Sequence, residues 1–195
     1  MVSKTREKFI EVARQLFARK GVENTTMNDI ASASEKGRRT IYTYFKSKRE
    51  IFNAVIASET DQLLERLKAI IALNVSPREK LKKYIECRFD TINEIVSRNG
   101  SLRAGFFRDV RKVDRARKLI TDKETALLQE ILAEGVTQGE FSIVNLKHAA
   151  LVITHTIHGL DVPYIRDNLS KEGLNQEQLK EYVSKLILYG IEKRN

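Results

Sequence analysis

Residues 26–52 read TMNDIASASEKGRRTIYTYFKSKREIF, and this stretch decides the fold of the first quarter of the chain. A short amphipathic segment, a turn, a segment of hydroxyls and aromatic rings, and the basic start of a further helix follow one another in it. The major groove of DNA admits one α-helix, which a preceding helix must hold at a fixed angle while cations meet the flanking phosphates. The stretch therefore predicts a helix-turn-helix that docks on double-stranded DNA.

The distribution of charge supports a polyanionic partner. The chain of 195 residues has a formal net charge of +9, and residues 1–50 hold 12 Lys and Arg against 6 Asp and Glu. Basic charge concentrated on one segment is the electrostatic footprint expected of a nucleic-acid-binding protein.

Composition argues against several other classes of protein. The sequence starts with charged residues, holds no apolar run near the roughly 18 residues of a membrane span, and has a single cysteine, Cys87. An intrachain disulfide is therefore impossible, and we expect a cytoplasmic protein with no membrane contact. Glycine-rich phosphate loops and common metal-ligand spacings are also missing from the sequence, so we predict neither an enzyme nor a bound cofactor or metal.

The spacing of apolar residues predicts an all-α fold of about nine helices. Prolines occur only at positions 77 and 163, apolar positions recur every three or four residues, and strand-like alternation is missing. Gly21 is suited to the left-handed cap of a first helix over residues 5–20. A hydroxyl followed three residues later by an acid marks further helix starts at Thr26 with Asp29, Ser47 with Glu50, and Ser76 with Glu79.

The chain divides into a small basic head and a larger helical body. The predicted fourth helix, from residue 48 to residue 73, becomes strongly apolar and would couple the two parts. A three-helix head alone buries too little apolar surface to be secure. We therefore predict a helix-turn-helix domain at residues 1–47 and a helical body at residues 48–195. Further body helices are predicted near residues 77–96, 102–110, 114–138, 145–167 and 175–193.

Ordered short motifs run through the head. The pattern R-x-x-F-I-x-V-A-x-x-L-F extends from Arg6 to Phe17, and T-I-Y-x-Y-F extends from Thr40 to Phe45. The other motifs are Thr25-Thr26, Asp29-Ile30-Ala31 and Lys46-Ser47-Lys48. With these matches in order, residues 6–57 resemble the N-terminal domain of the TetR family of transcriptional regulators. The rest of the chain resembles that family only in length and helix count.

The resemblance and the side-chain chemistry together nominate the residues that bind DNA. The resemblance implies DNA contacts by Thr40, Tyr42, Tyr44 and Lys48. Arg38 and Arg39 are candidates for base edges, because Arg can address guanine O6 and N7 in a bidentate fork. Alternatively, the two tyrosines pack inside the head and the two arginines form a solvated charged turn. The full set predicted to bind DNA is Thr26, Arg38, Arg39, Thr40, Tyr42, Thr43, Tyr44, Lys46 and Lys48.

One turn departs from the family pattern. Where the family usually has Gly-Val-Ser, this chain has Glu35-Lys36-Gly37. We expect the glycine to have moved two places, which would change the turn and the angle of the next helix. A changed angle would alter the operator sequence more than DNA binding itself.

The resemblance also implies a homodimer and a small-molecule effector. It assigns subunit pairing to the last two helices, so that residues 48–195 become a ligand-binding and dimerisation domain. The same apolar and polar residues also suit the core or surface of a single chain. Candidate interface residues are Leu151, Leu179, Val183, Leu186 and Ile187. Candidate pocket residues are Phe89, Arg103, Phe106, Phe107, Arg108, His155 and Tyr164.

These expectations combine into a one-component DNA-binding transcriptional regulator. It would act as a repressor, bind a near-palindromic operator as a homodimer, and be released by a small-molecule effector. A second hypothesis keeps the fold but lets the altered turn impair operator reading, which leaves a ligand- or partner-binding dimer. A third is an all-α enzyme that uses His155, His158 and Asp161. For these two histidines and His148, we favour hydrogen bonding in an interface or pocket over metal binding.

Overall fold

The computed structural model describes residues 4–98 and 110–193, and it confirms the all-α fold. The described helices are α1 (Lys4–Lys20), α2 (Met27–Ala33), α3 (Arg38–Tyr44), α4 (Lys48–Ile71), α5 (Pro77–Arg98), α6 (Val110–Thr137), α7 (Leu146–Gly159), α8 (Asp161–Ile165) and α9 (Gln176–Ile191). A single 3-10 turn, Ser170–Glu172, lies between α8 and α9. Within the described residues, no helix is long and apolar enough to cross a membrane.

The predicted helix starts are confirmed by their capping hydrogen bonds. The Oγ1 atom of Thr26 accepts from the backbone N–H of Asp29 at 3.1 Å, and the Asp29 carboxylate accepts from the N–H of Thr26 at 2.9 Å. Such a reciprocal pair satisfies two backbone donors that the first turn leaves without partners. The hydroxyls of Ser47 and Ser76 accept from the N–H groups three residues later, at 3.3 and 3.2 Å.

The predicted helix over residues 145–167 is wrong as one continuous element. The structure breaks it at Leu160, so that α7 ends at Gly159 and the short α8 begins at Asp161. Pro163 has no N–H to donate, and its ring disfavours an uninterrupted helix through this point. The helix predicted over residues 102–110 lies almost entirely outside the described residues.

The described residues form two compact units, drawn from Met1–Asp61 with Ile95–Ala116 and from Gln62–Glu94 with Arg117–Asn195. In the first unit, the head core is closed by fully buried Ile51 and Val55, which belong to α4. The start of α4 therefore contributes to the hydrophobic core of the head. The domain boundary between residues 47 and 48 stays a prediction. The other buried residues of the head core are Phe9, Ala13, Leu16, Phe17, Met27, Ile30, Ala31, Ile41 and Phe45.

The second unit combines an apolar core with ion pairs between its helices. Leu81, Ile85 and Phe89 of α5 are fully buried, as are Leu128 and Ile131 of α6. Fully burying side chains of this size stabilises a fold by about 1.5–3 kcal/mol each. The core of this unit therefore holds α5 and α6 firmly in place.

Candidate nucleic-acid interface

Helix α3 has one buried side and one exposed side. Ile41 of α3 and Phe45, the residue directly after α3, are buried in the head core, whereas Arg38, Arg39, Tyr42 and Thr43 are exposed. These two buried side chains, one within α3 and one at its end, hold the helix against the head. Of the residues predicted to bind DNA, the exposed ones are Thr26, Arg38, Arg39, Tyr42, Thr43 and Lys46.

Three of the exposed side chains of α3 are held by contacts within the helix. The Arg38 guanidinium lies 5.9 Å from the centroid of the Tyr42 ring, a cation–π distance. The Thr43 hydroxyl donates to the carbonyl oxygen of Thr40 at 2.7 Å. Tyr42 remains 42% exposed, so the contact with Arg38 does not hide it. These contacts limit the side-chain freedom that a ligand would otherwise have to restrict.

Tyr44 and Thr40 are only half-buried, and Tyr44 packs on the head. The Tyr44 ring lies 5.8 Å from the ring of Phe9, which is fully buried. This contact gives Tyr44 the packing role that the sequence left open as its alternative. Its predicted DNA contact stays a prediction.

Lys48 anchors the first turn of α4 to the loop between α1 and α2. Its ammonium donates to the carbonyl oxygens of Val22 at 2.7 Å and Glu23 at 3.1 Å. An ammonium has three N–H donors, so a further acceptor such as a phosphate can still be bound. Sequence reasoning missed this anchoring role, and it also missed exposed Arg49 directly after the Lys46-Ser47-Lys48 motif.

The expectation that the glycine of the turn between α2 and α3 had moved two places does not describe the backbone, because Gly37 does not take the left-handed position of the turn. Glu35 has a φ of +56°, in the left-handed region, while Gly37 is extended with φ −68° and ψ 152°. The N–H of Lys36 donates back to the carbonyl of Ala31 at 3.0 Å and closes the turn. The left-handed step therefore lies at position 35, and a glutamate adopts it.

Helix α1 contacts both ends of α3 through two cations. Nζ of Lys8 lies 2.8 Å from Oε2 of Glu35, before α3, and the Arg6 guanidinium lies 5.0 Å from the centroid of the Phe45 ring, after α3. The hydrogen bond from Lys8 holds the pKa of Glu35 below its ordinary value. Sequence reasoning placed both cations on a polar face of α1 and missed these contacts, because their partners lie far along the chain.

The predicted effector pocket is not assembled from its described members. The rings of Phe89 and Tyr164 are buried together with centroids 4.8 Å apart, whereas His155 is exposed on α7. The Tyr164 hydroxyl donates to Asp90 at 3.0 Å, and burial together with this bond raises the pKa of Tyr164 to about 12. Phe89 and Tyr164 thus pack in the core. The pocket residues outside the described ranges are Arg103, Phe106, Phe107 and Arg108.

A buried charged cluster, formed by Arg88, Glu124, His158 and Asp161, joins α5, α6, α7 and α8. Nε of Arg88 donates to Glu124 at 2.8 Å, and its two terminal nitrogens meet Asp161 at 2.5 and 3.0 Å. Nε2 of His158 lies 2.5 Å from the second oxygen of Glu124. Burial alone would raise the pKa of Glu124, but the charges of Arg88 and His158 hold it below the ordinary value.

Two residues of the predicted enzyme site, His158 and Asp161, belong to this cluster, and the third, His155, does not. His158 and Asp161 have internal partners, and His155 lies exposed with its ring centroid 6.4 Å from that of His158. Over the residues that the structure describes, no group of three or more metal-ligating side chains occurs. The cluster itself left no signal in the sequence, because its members come from four separate helices.

The predicted interface residues divide between the surface and the core. Leu151 is 41% exposed and Leu186 is 72% exposed, while Ile187 is half-buried. Leu179 and Val183 are buried, at 6% exposed each, because positions four apart on α9 turn toward the core of the second unit. Leu179 and Val183 therefore pack in the core of the second unit, and not on the surface where they were predicted. Exposed apolar residues that the prediction missed are Val152, Tyr182 and Tyr189.

Comparisons with known proteins match both the head and the whole fold. Residues 9–55 match the family of bacterial regulatory proteins described as the tetR family. The HTH-type transcriptional repressor KstR2 of Mycolicibacterium smegmatis is 26% identical over 141 residues, 70% of this chain and 67% of that protein.

Two solved structures resemble nearly the full length of the chain. A transcriptional regulator from Cytophaga hutchinsonii is 25% identical with a TM-score of 0.79, over 98% of this chain and 100% of that one. A TetR/AcrR family regulator from Thermobifida fusca is 29% identical with a TM-score of 0.72, over the same shares of the two chains.

Proposed function

We propose that the chain, whose residues 9–55 match the tetR family of bacterial regulatory proteins, is a repressor that binds a near-palindromic operator as a homodimer. The observation that carries this proposal is the two-sided character of α3. Ile41 and Phe45 are buried while Arg38, Arg39 and Tyr42 face outward on a helix that follows a capped α2 and a tight turn. A helix presented in this way suits the major groove.

The exposed residues divide by chemistry into base readers and phosphate binders. Arg38 and Arg39 lie in the first turn of α3, the part of a recognition helix that addresses base edges, and each offers a bidentate fork for guanine. Lys46 and Lys48 flank the start of α4 and add cations that phosphates attract without reading sequence. The arginines therefore set specificity and the lysines set general affinity.

The partner on α7 and α9 is a second copy of the chain. Val152, Leu186 and Tyr189 are between 63% and 72% exposed, and apolar side chains of this size gain by leaving water. Gly159 and Gly190 lie near the ends of the same two helices, where an added Cβ would meet no atom of the chain within 4 Å. The open space beside these two glycines leaves room for the backbone of a second chain to approach.

Release by a small-molecule effector completes the proposal. An effector lowers operator affinity only by the difference between its affinities for the two conformations of the protein. The family resemblance supports release by an effector. The chemical identity of the effector is left to experiment. Of the pocket residues first predicted, Phe89 and Tyr164 would have to separate to admit a ligand, since their rings are in contact.

Selection of genomic DNA by the purified full chain tests the proposal. Bound fragments are sequenced, and their affinity is measured between 50 and 200 mM salt. We expect a two-fold symmetric motif, and affinity that falls by orders of magnitude as phosphate contacts release counterions. Recovery of random sequence at every salt concentration would reject operator binding. The outward side chains of Arg38 and Arg39 after the turn at Glu35 favour operator reading over the hypothesis of impaired reading.

A further inference from the structure

Glu35 places an exposed carboxylate in the turn directly before α3, the helix that is proposed to enter the groove. Its side chain is 84% exposed and precedes Arg38 by three residues. The N-terminal residues of a recognition helix approach the bases most closely, so the turn before them lies near the phosphates that line the groove. A negative charge at this point opposes the binding of a polyanion. The inference that follows rests on the proposed function.

Turn geometry does not account for a glutamate at this position. Glu35 adopts φ +56°, a conformation that glycine reaches without cost and that asparagine and aspartate tolerate better than most residues. A glutamate is therefore an unfavourable choice for the backbone alone. Its side chain must supply the reason, and the contact that its carboxylate makes is the ion pair with Lys8 at 2.8 Å.

The ion pair is poorly placed to stabilise the fold. The side chains of Lys8 and Glu35 are 44% and 84% exposed, and pairs this exposed contribute little to folding because water screens them. Electrostatic effects on a charged ligand extend further, since the Debye length is about 10 Å at 0.1 M salt. The pair therefore matters more for DNA than for the head itself.

We propose that Lys8 holds the Glu35 carboxylate against α1, so that the carboxylate cannot turn toward the phosphates that flank α3, and that this ion pair thereby sets the phosphate affinity of the head. Lys36, the exposed neighbour of Glu35, also lowers the pKa of that carboxyl, but its influence is smaller than that of Lys8. Lys8 is thus a positioning residue that acts through Glu35. With Lys8 in place, the Glu35 carboxylate is held at α1; without Lys8, it is free to turn toward a bound phosphate.

The magnitude follows from simple electrostatics. A carboxylate about 10 Å from a phosphate in water weakens binding roughly twofold without screening and about 1.4-fold at 50 mM salt, and two or three phosphates fall within that range along a groove. Freeing Glu35 should therefore weaken DNA binding about two- to threefold at 50 mM salt, and less at 200 mM because added ions screen the charge.

A double-mutant cycle measures this coupling. Affinity for a genomic fragment selected by the wild-type chain is measured by fluorescence anisotropy for Lys8→Gln, Glu35→Gln and the double variant. At 50 mM salt we expect Lys8→Gln to weaken binding about threefold when Glu35 is present and less than twofold when Glu35→Gln is present, because only the first variant frees a carboxylate to turn toward phosphate. Melting temperatures of all variants show whether the head stays folded.

A matched control removes the same charge one helical turn earlier. Lys4 is exposed on α1, and Lys4→Gln should weaken binding equally with and without Glu35→Gln. Equal losses from Lys8→Gln in both backgrounds would overturn the proposal and show that Lys8 meets phosphate directly. If the wild-type chain selects no fragment at any salt concentration, operator binding itself fails and this inference fails with it.

Discussion

Removing the charge of Glu124 tests whether the buried charged cluster holds the second unit together. Glu124 is fully buried, and its carboxylate bonds both Arg88 and His158. The variant Glu124→Gln keeps the shape of the side chain but leaves the Arg88 guanidinium, which is 3% exposed, paired with Asp161 alone. Removing one partner of a buried ion pair typically costs 3–5 kcal/mol, and the remaining bidentate partner places this case near the lower end, at about 3 kcal/mol.

Urea unfolding at a fixed protein concentration provides the assay, because the proposed subunit association would also contribute to stability. With a slope of about 2–3 kcal/mol per molar urea, the midpoint should fall by about 1 M at pH 7. Glu130→Gln changes an exposed acid on the same helix and should shift the free energy of unfolding by less than about 0.5 kcal/mol.

The pH dependence has a definite sign. The folded-state pKa of Glu124 lies below its ordinary value of 4.5, so its contribution is fully present above pH 4.5 and is lost as pH falls through the folded-state pKa. The difference between wild type and Glu124→Gln should therefore shrink below pH 4.5. A loss smaller than about 1 kcal/mol at pH 7, or a difference unchanged in acid, would refute the reasoning.

Three further predictions address the head and the proposed dimer. Glu35→Gly should stabilise the head by about 1 kcal/mol in thermal unfolding, because glycine adopts φ +56° freely; no gain would contradict the strain assigned there. Leu186→Glu should yield a folded monomer by light scattering, since Leu186 is 72% exposed, whereas Leu179→Glu should unfold the chain; a Leu186→Glu dimer would place the interface elsewhere. Arg39→Ala should relax the sequence preference of binding at one or two base pairs of the operator. Lys48→Ala should weaken binding to all DNA sequences alike and loosen the loop at Val22. If a binding-site selection shows the opposite, Lys48 reads sequence and Arg39 supplies general affinity.

The head could be predicted in detail because its signals are local. The capping box of Thr26 and Asp29 and the left-handed cap at Gly21 depend on neighbouring residues, so the sequence contains them in full. The turn before α3 was mispredicted because glycine is the usual residue for a left-handed step. The end of α2 decides the position instead, since the bond from Lys36 to Ala31 forces that step onto Glu35.

The body could be predicted only as a set of helices. Apolar periodicity identifies the apolar faces of α9, but it does not distinguish a face that packs within the chain from a face that could bind a second chain. Leu179 and Val183 therefore seemed equivalent to Leu186 until packing separated them. The two acids that pair with Arg88 lie 36 and 73 residues away in the sequence, so no local sequence pattern indicates the ion pairs.

The proposal that α3 reads the major groove is tested most directly by methylation interference on a selected operator. Methylation at guanine N7 adds a group in the major groove, where Arg38 and Arg39 are proposed to bind. We predict that it blocks binding at two symmetric half-sites, about 34–36 Å or a multiple of that distance apart, and that Arg39→Ala removes part of the effect. Interference confined to minor-groove adenine N3, or none within the bound sequence, would contradict the account.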